Sequence, residues 1–364
     1  MPKRRGNNEG SIFYSESEGY WIAEISLPNG KRKRKRSKKQ KVVQDWLLEQ
    51  RKAVQENRVL PSEQLLYANF LDRYLSDVAA HTLKPKTLNT YRYLIENHIK
   101  PDLGRLKLTQ IKPEDLQSLY RRKLDSGLSP KTVKHIHSLI RRTLNQALQW
   151  SLIYRNPALA VSPPSVPKQP IKTFSKSQAM RFLEAVEDHR WYPIYILALT
   201  TGMRRGEILG LRWQDVDFGN KTLSVNQTVQ DVGGRVTITQ PKTKTSKRIV
   251  ALSELALQTL KEHQDKVGKN NGLLFTTSNG TPISPRNLLR HFYKALKKAD
   301  VPKIRFHDLR HTAATFLLKE NVHPKIVQEM LGHSTITVTL DTYSHIIPDI
   351  QKEAAKKMDL IFQP

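Results

Sequence analysis

Residues 156–172 read NPALAVSPPSVPKQPIK, and the five prolines in this stretch decide how the chain is divided. Each proline fixes φ and removes a backbone donor, so neither a helix nor a central strand passes through the segment. It reads as an extended, semi-stiff linker over 157–172. The main domain boundary falls here. At 364 residues the chain has room for two or three domains of roughly 100–200 residues each.

On the N-terminal side, residues 60–156 read as an all-α domain. Tyr67, Phe70, Leu71, Tyr74, Leu75 and Val78 recur at the spacing of one buried helical face. Two later helices open alike, LKPKTLNTYRYLI (83–95) and LSPKTVKHIHSLI (128–140), with Pro85 and Pro130 suited to the first helical position. The Lys and Thr after each proline can hold a phosphate at a helix N-terminus, and ordinary helix-start grammar accounts for them as well. Further upstream, residues 1–58 read as a small β-rich module, a three-stranded sheet plus a helix. In GSIFYSESEGYWIAEISLPNGKRKRKRSKK (10–39) turn signals at Gly19 and at Pro28-Asn29-Gly30 set off two strand-like runs. A dense basic run, Lys31 to Lys39, follows the second turn, and VVQDWLLEQRKAV (42–54) reads as the helix.

Lys and Arg number 61 against 33 acidic residues, a formal net charge of +28. Such an excess is costly in self-repulsion, and a polyanionic partner is the usual reason for carrying it. Nucleic acid is the first expectation, and the basic run beside Tyr20 and Trp21 is then a DNA-contacting strand. The chain has no cysteine, which excludes disulfides, Cys-type zinc sites and thiol nucleophiles and fits a reducing compartment. No apolar leader and no run of about 18 apolar residues occurs, so the expectation is a soluble, cytoplasmic protein without a membrane partner.

The C-terminal domain, 173–364, reads as mainly α with a small β-hairpin or sheet. Helices are expected at about 176–188, 192–202 and 205–212, a strand pair at about 222–252, and helices from 254 onward. Ile347, Ile350, Ala354, Met358 and Ile361 mark one face of the last helix. Within this domain HDLRHT (307–312) sets His307 and His311 one helical turn apart with Arg310 between them. A zinc helix would need a Glu base where Asp308 stands, and Arg310 would put a fixed cation beside the metal, so the pair does not read as a metal clamp.

The surrounding motifs point elsewhere. TTGMRRGEILGLRWQDVD (200–217) offers two arginines at a helix start, with Glu207 placed to hold Arg204. ITQPKTKTSKRIVAL (238–252) is a hairpin with lysines at its tip, and LGHSTITVTLDTYSHI (331–346) supplies His333 and, ten residues later, Tyr343. Two Arg, a Lys, two His and a Tyr suit attack on a phosphodiester.

The ordered set TGMRRGE, PKTKTSKRIV, HDLRHT, LGH and a following Tyr resembles the tyrosine recombinases, specifically the integrases of phages and integrative elements. The resemblance covers the whole chain as an arm-binding module, a helical core-binding domain and a catalytic domain of the tyrosine recombinase fold. It implies Tyr343 as the nucleophile, giving a 3′-phosphotyrosine and a free 5′-hydroxyl. It implies Arg204 and Arg310 as clamps on the scissile phosphate, suited by a planar fork that stays charged. His333 would be a third phosphate donor, and His307 the proton acceptor near the tyrosine or a supporting donor. Lys242 would protonate the leaving oxygen, with Lys244 the alternative. Arg205 would touch a backbone phosphate, and His311 would be structural.

No cofactor and no metal follow from this resemblance. It implies double-stranded DNA at core and arm sites, a homo-tetramer on DNA, and an excision or directionality factor with a host DNA-bending protein. The last helix would dock on a neighbouring protomer. Two other readings are a catalytically silent basic DNA-binding protein and a type IB topoisomerase. The separate N-terminal module argues against the second, since relaxing supercoils needs no additional DNA site.

Overall fold

The computed structural model describes residues 10–26, 32–55, 65–167, 170–240, 247–268 and 272–343, with 355, 358–359 and 361–362. The chain forms two compact units, Met1–Pro167 and Lys168–Pro364. Among the described residues no helix is long and apolar enough to cross a membrane.

The first unit opens with an antiparallel sheet of β1 (Ser11–Ser15), β2 (Tyr20–Ser26) and β3 (Arg32–Ser37), in that order. Gly19 takes φ 68° in the turn joining β1 to β2, a left-handed value that suits glycine. Helix α1 (Gln40–Gln55) covers one face, where Ala23 and Ile25 of β2 meet Val43 and Leu47. The alternation of β2 accounts for this, since Ala23 and Ile25 lie two apart on one side of the pleat. Strand β3 is the basic run itself. Arg34 pairs with Glu24, and Arg36 lies 3.6 Å from Glu18. The expected turn at Pro28-Asn29-Gly30 lies outside the described residues.

Helix α2 (Tyr67–Tyr74) runs through a π-helical turn, Leu75–Ala79, into α3 (Ala80–Thr82). Helix α4 (Pro85–Leu94) repeats the device through Ile95–Ile99 into α5 (Lys100–Leu103). Two longer helices follow, α6 (Pro113–Asp125) and α7 (Pro130–Gln149). Phe70, Leu71, Tyr74, Ile95, Leu119, Ile136 and Ile140 meet in one buried core. Two pairs of polar groups inside it satisfy each other: Tyr67 and Thr143 share a hydrogen bond of 2.7 Å, and Tyr120 and His137 one of 3.0 Å.

The proline-rich stretch departs from expectation at its start. Pro157–Ala160 form a turn of 3₁₀ helix, and Ala158 and Val161 join the helical core. Asn156 explains it, because its side chain accepts from Ala158 N at 2.9 Å and donates to Arg141 O and Asn145 Oδ1. A proline at the first helical position costs no hydrogen bond, so Pro157 permits this single turn.

The second unit begins with α8 (Lys176–Ala185), α9 (Tyr192–Thr201) and the short α10 (Arg205–Leu209). Helix α10 ends before the expected 212 because Arg212 and Asp215 cap a 3₁₀ turn at Trp213–Asp215. Among the described residues four strands stand where a pair was expected, over 222–252, with a fifth just before them. Strands β4 (Val216–Asp217), β5 (Thr222–Val225) and β8 (Arg248–Ala251) form one antiparallel sheet, and β6 (Thr228–Val232) pairs with β7 (Arg235–Thr239) as a separate hairpin. Among the described residues through Tyr343 the further helices are α11 (Glu254–Val267), α12 (Pro285–Lys298), α13 (Phe306–Lys319), α14 (Pro324–Leu331) and α15 (Ile336–Tyr343). Helix α9 lies at the centre, with Ile194, Tyr195, Ile196, Leu197 and Ala198 all buried. It packs directly against α13 and α11. Of the face expected for the last helix, Ile347, Ile350 and Ala354 lie outside the described residues, while Met358 and Ile361 are exposed.

Candidate active site

Five of the six residues singled out from the sequence stand on the elements surrounding the C-terminal end of α9. The sixth, Lys242, lies outside the described residues, as does Lys244.

Helix α9 stops at Gly202, whose φ of 61° turns the chain sharply. A Cβ here would stand 2.5 Å from Leu331 Cδ2, so the leucine would have to shift, and the left-handed φ strains any other residue. The turn delivers Arg204 as the cap of α10. Its Nη1 donates to Glu207 Oε1 at 2.7 Å, its backbone N to Oε2 at 2.9 Å, and its Nη2 to Gly332 O at 3.2 Å. Glu207 is 4% exposed and also accepts from Arg248 Nη2 at 3.0 Å. Burial alone would raise the Glu207 carboxyl, but the Arg248 and Arg204 guanidiniums outweigh it and hold the carboxyl below its ordinary value.

Arg248 was not singled out from the sequence. It sits at the start of β8, and its Nε donates to Met330 O at 2.6 Å, joining the sheet to the end of α14. Nothing in KRIVAL separates this arginine from the other cations of the basic run. Only the fold brings it to Glu207.

Helix α13 carries the next group. Asp308, considered above as a displaced zinc-site base, accepts from Arg305 N at 2.7 Å and from Arg305 Nη2 at 2.7 Å. That carboxylate is committed to capping the helix. Arg310 is 2% exposed, and its Nη1 donates to Gly202 O at 2.9 Å. Its Nη2 is buried with no hydrogen-bond partner among the described residues. Burial first, then the Arg204 charge, pulls the Arg310 guanidinium down to about 9. A buried cation with an unused donor is costly, and an anion arriving there would relieve the cost.

Helix α14 ends at Gly332, φ 67°, which swings His333 back toward the arginines. His333 Nδ1 shares a hydrogen bond of 2.8 Å with Thr339 Oγ1, and Gln328 Nε2 holds its carbonyl at 2.7 Å. The ring is thereby fixed, with Nε2 unpartnered among the described residues. Desolvation, then Arg310 and Arg204, pushes His333 down to about 4.

Tyr343 closes the arrangement at the end of α15. It is 2% exposed, and burial raises its phenol to about 12 despite the nearby Arg310 charge. The expectation put His307 beside it. In the structure the contact is made by His311, whose Nδ1 lies 2.9 Å from Tyr343 Oη. His307 instead packs edge-on against the His311 ring, centroids 5.1 Å apart. Desolvation, His311 and the two arginines push His307 down to about 4, so it is neutral near pH 7. Arg205 is half-buried with no hydrogen bond or ion pair among the described residues, and burial lowers its pKa.

The group therefore unites two guanidiniums, one on a buried carboxylate and one with a free donor, three neutral imidazoles and a buried phenol. Such a set can hold a tetrahedral anion, stabilise growing charge on it and move a proton at the phenol.

A family profile described as the phage integrase family matches residues 172–348, and one described as the phage integrase N-terminal SAM-like domain matches 66–124. The chain is 33% identical over 323 residues to a tyrosine recombinase XerC-like protein of Caldanaerobacter subterraneus, covering 81% of this chain and 83% of that one. It is 26% identical over 320 residues to the ICEBs1 integrase of Bacillus subtilis, covering 85% and 87%. Among solved structures it resembles the Tn1549 transposon integrase in complex with a circular intermediate DNA, with a TM-score of 0.71 at 23% identity over 81% of this chain and 100% of that one. It also resembles a lambda integrase tetramer bound to a Holliday junction, with a TM-score of 0.62 at 19% identity over 93% and 96%.

Proposed function

The chain belongs to the phage integrase family of tyrosine recombinases, and from that membership we propose that it is a site-specific integrase that cuts and rejoins DNA to move a mobile element. Tyr343 attacks the scissile phosphodiester, leaving a 3′-phosphotyrosine and a free 5′-hydroxyl. Arg204 and Arg310 bind the non-bridging oxygens, His333 donates a third hydrogen bond, and His307 supports the same group. Lys242, or Lys244 beside it, protonates the leaving oxygen. The observation that carries this reading is the buried Arg310 Nη2, an unspent donor in the cluster that contains Tyr343.

The chemistry asks for neither metal nor nucleotide. The phosphotyrosine conserves the energy of the broken bond, so religation needs no other source, and preorganised donors are worth several kcal/mol in the transition state. The partner is double-stranded DNA, with the helical and C-terminal domains on core sites and the N-terminal sheet on arm sites. On DNA the chain works as a homo-tetramer, with the segment after Tyr343 docking on a neighbour, and direction is set by accessory and host bending factors.

The test is a suicide duplex carrying the element's junction, mixed with protein in EDTA and run on a denaturing gel. A covalent adduct at a 3′ end that disappears in Tyr343→Phe is expected. Specific binding without any adduct would replace this reading with that of a DNA-binding protein.

A further inference from the structure

A phenol with an ordinary pKa near 10 is almost wholly protonated at neutral pH, and burial pushes Tyr343 up to about 12. If this phenol attacks phosphorus, something in contact must take its proton. Among the described residues the side chain hydrogen-bonded to Tyr343 Oη is His311, at 2.9 Å. The rings meet at 62° with centroids 5.8 Å apart. His307 lies behind His311, its ring edge-on at 87°.

We propose that His311 is the proton acceptor for the nucleophile, an inference that rests on the tyrosine recombinase reading. As Tyr343 Oη bonds to phosphorus, its proton passes to His311 Nδ1. The P–O5′ bond breaks with its electron pair on the 5′ oxygen, which takes a proton from the separate acid. On religation the 5′-hydroxyl attacks phosphorus, the tyrosyl oxygen leaves, and His311 returns the proton.

The surroundings keep His311 neutral and ready to accept. Desolvation lowers it, Asp308 works against that, and Arg310 and Arg305 lower it further. His307, Asp308 and Arg310 face it from α13, Arg305 from the cap of that helix, Tyr343 from α15 and His333 from the turn before α15. With its proton on Nε2, a neutral His311 presents Nδ1 to the phenolic hydroxyl as an acceptor, the tautomer that the step requires.

The experiment begins with half-site suicide duplexes randomised across the cut region. Those captured covalently by the wild-type chain are sequenced, and one is resynthesised as the probe. Single-turnover adduct formation is followed from pH 5 to 9 for the wild type and for His311→Gln, which keeps a polar side chain that cannot accept the proton. The variant should bind the probe with unchanged affinity, form adduct about 10²–10⁴-fold more slowly, and lose the acid limb of the pH profile. A 5′-phosphorothiolate probe, whose thiolate leaves without an acid, should not restore it.

A His311→Gln rate within about threefold of wild type and of unchanged pH dependence would overturn the assignment, as would rescue by the thiolate. If the glutamine variant does not fold, His311→Asn takes its place in the same assays, with the same supporting and overturning outcomes. No wild-type adduct, or an adduct with Tyr343→Phe, would instead remove the tyrosine recombinase reading on which the inference stands.

Discussion

Glu207→Gln removes a charge and keeps the shape of a buried side chain that two arginines share. One carboxylate oxygen takes Arg204 Nη1 at 2.7 Å, and the other takes Arg204 N and Arg248 Nη2 at 2.9 and 3.0 Å. Breaking a buried pair from one side costs about 3–5 kcal/mol, because the partner charge stays buried. The two arms differ, since the Arg204 side chain is 39% exposed and Arg248 only 7%. Water can compensate Arg204, so its arm is worth under about 1 kcal/mol and the Arg248 arm dominates. The expected loss is about 3 kcal/mol, or roughly 6–12 °C in the melting of a unit this size. Calorimetry of the full chain, following the transition of the second unit, measures it. The loss should also depend on pH. The carboxyl lies below its ordinary value, so its stabilisation is complete above about pH 4.3 and fades as pH falls through the depressed folded value. The curves of wild type and variant should therefore converge only in strong acid. A Glu207→Gln melt within a degree of wild type at pH 7 would refute the reasoning, since Arg248 would then need no counter-charge.

Arg310→Met should abolish adduct formation yet leave the stability equal or higher, by up to about 1 kcal/mol, because it removes a buried cation with an unused donor. A clear fall in melting temperature would count against an unsatisfied Arg310. The second unit should also weaken in acid: desolvation, helped by His189 and Lys294, holds His291 down to about 4. A histidine with a lowered folded value contributes fully above about 6.5 and loses that contribution as pH falls from there, so wild type should melt progressively earlier while His291→Gln shows a shallower slope. Parallel slopes in calorimetry would remove His291 from the account. On β3, Arg32 and Lys35 have exposed side chains, and changing both to Gln should flatten the log–log salt dependence of duplex binding by about 0.9 for each phosphate that is no longer neutralised. An unchanged slope in a fluorescence titration would mean that these strand cations do not meet DNA.

Much of this molecule can be read from local pattern. The periodic apolar face of α2, the proline-opened α4 and α7, and the basic strand β3 follow from residue spacing alone, because each solves its burial problem within a few turns. What pattern misses depends on partners far along the chain. Helix α9 is legible as a helix over 192–202, but it is apolar on every side, so no face of it tells which neighbours it meets, and only the fold sets it between α13 and α11. Pro157–Ala160 fold onto the helical core because Asn156 reaches back to Arg141 and Asn145, neighbours that no linker composition announces. Arg248 is one cation among many until the sheet sets it against Glu207.

The two histidines of HDLRHT show where such reading stops. Four residues along a helix amount to about 400° of rotation, so His307 and His311 share a face and the sequence treats them alike. The same step is a rise of about 6 Å along the axis, longer than any hydrogen bond. Whichever histidine lies level with the phenol makes the contact, and the other cannot. That level is set elsewhere, by the left-handed Gly332 that ends α14 and by the length of α15 that carries Tyr343. It is further held by Thr339 on His333 and by Gln328 on the carbonyl of the same residue. Helical phase names the pair, whereas the turn after α14 selects His311. An inserted or deleted residue between Gly332 and Tyr343 would change the selection without touching HDLRHT at all.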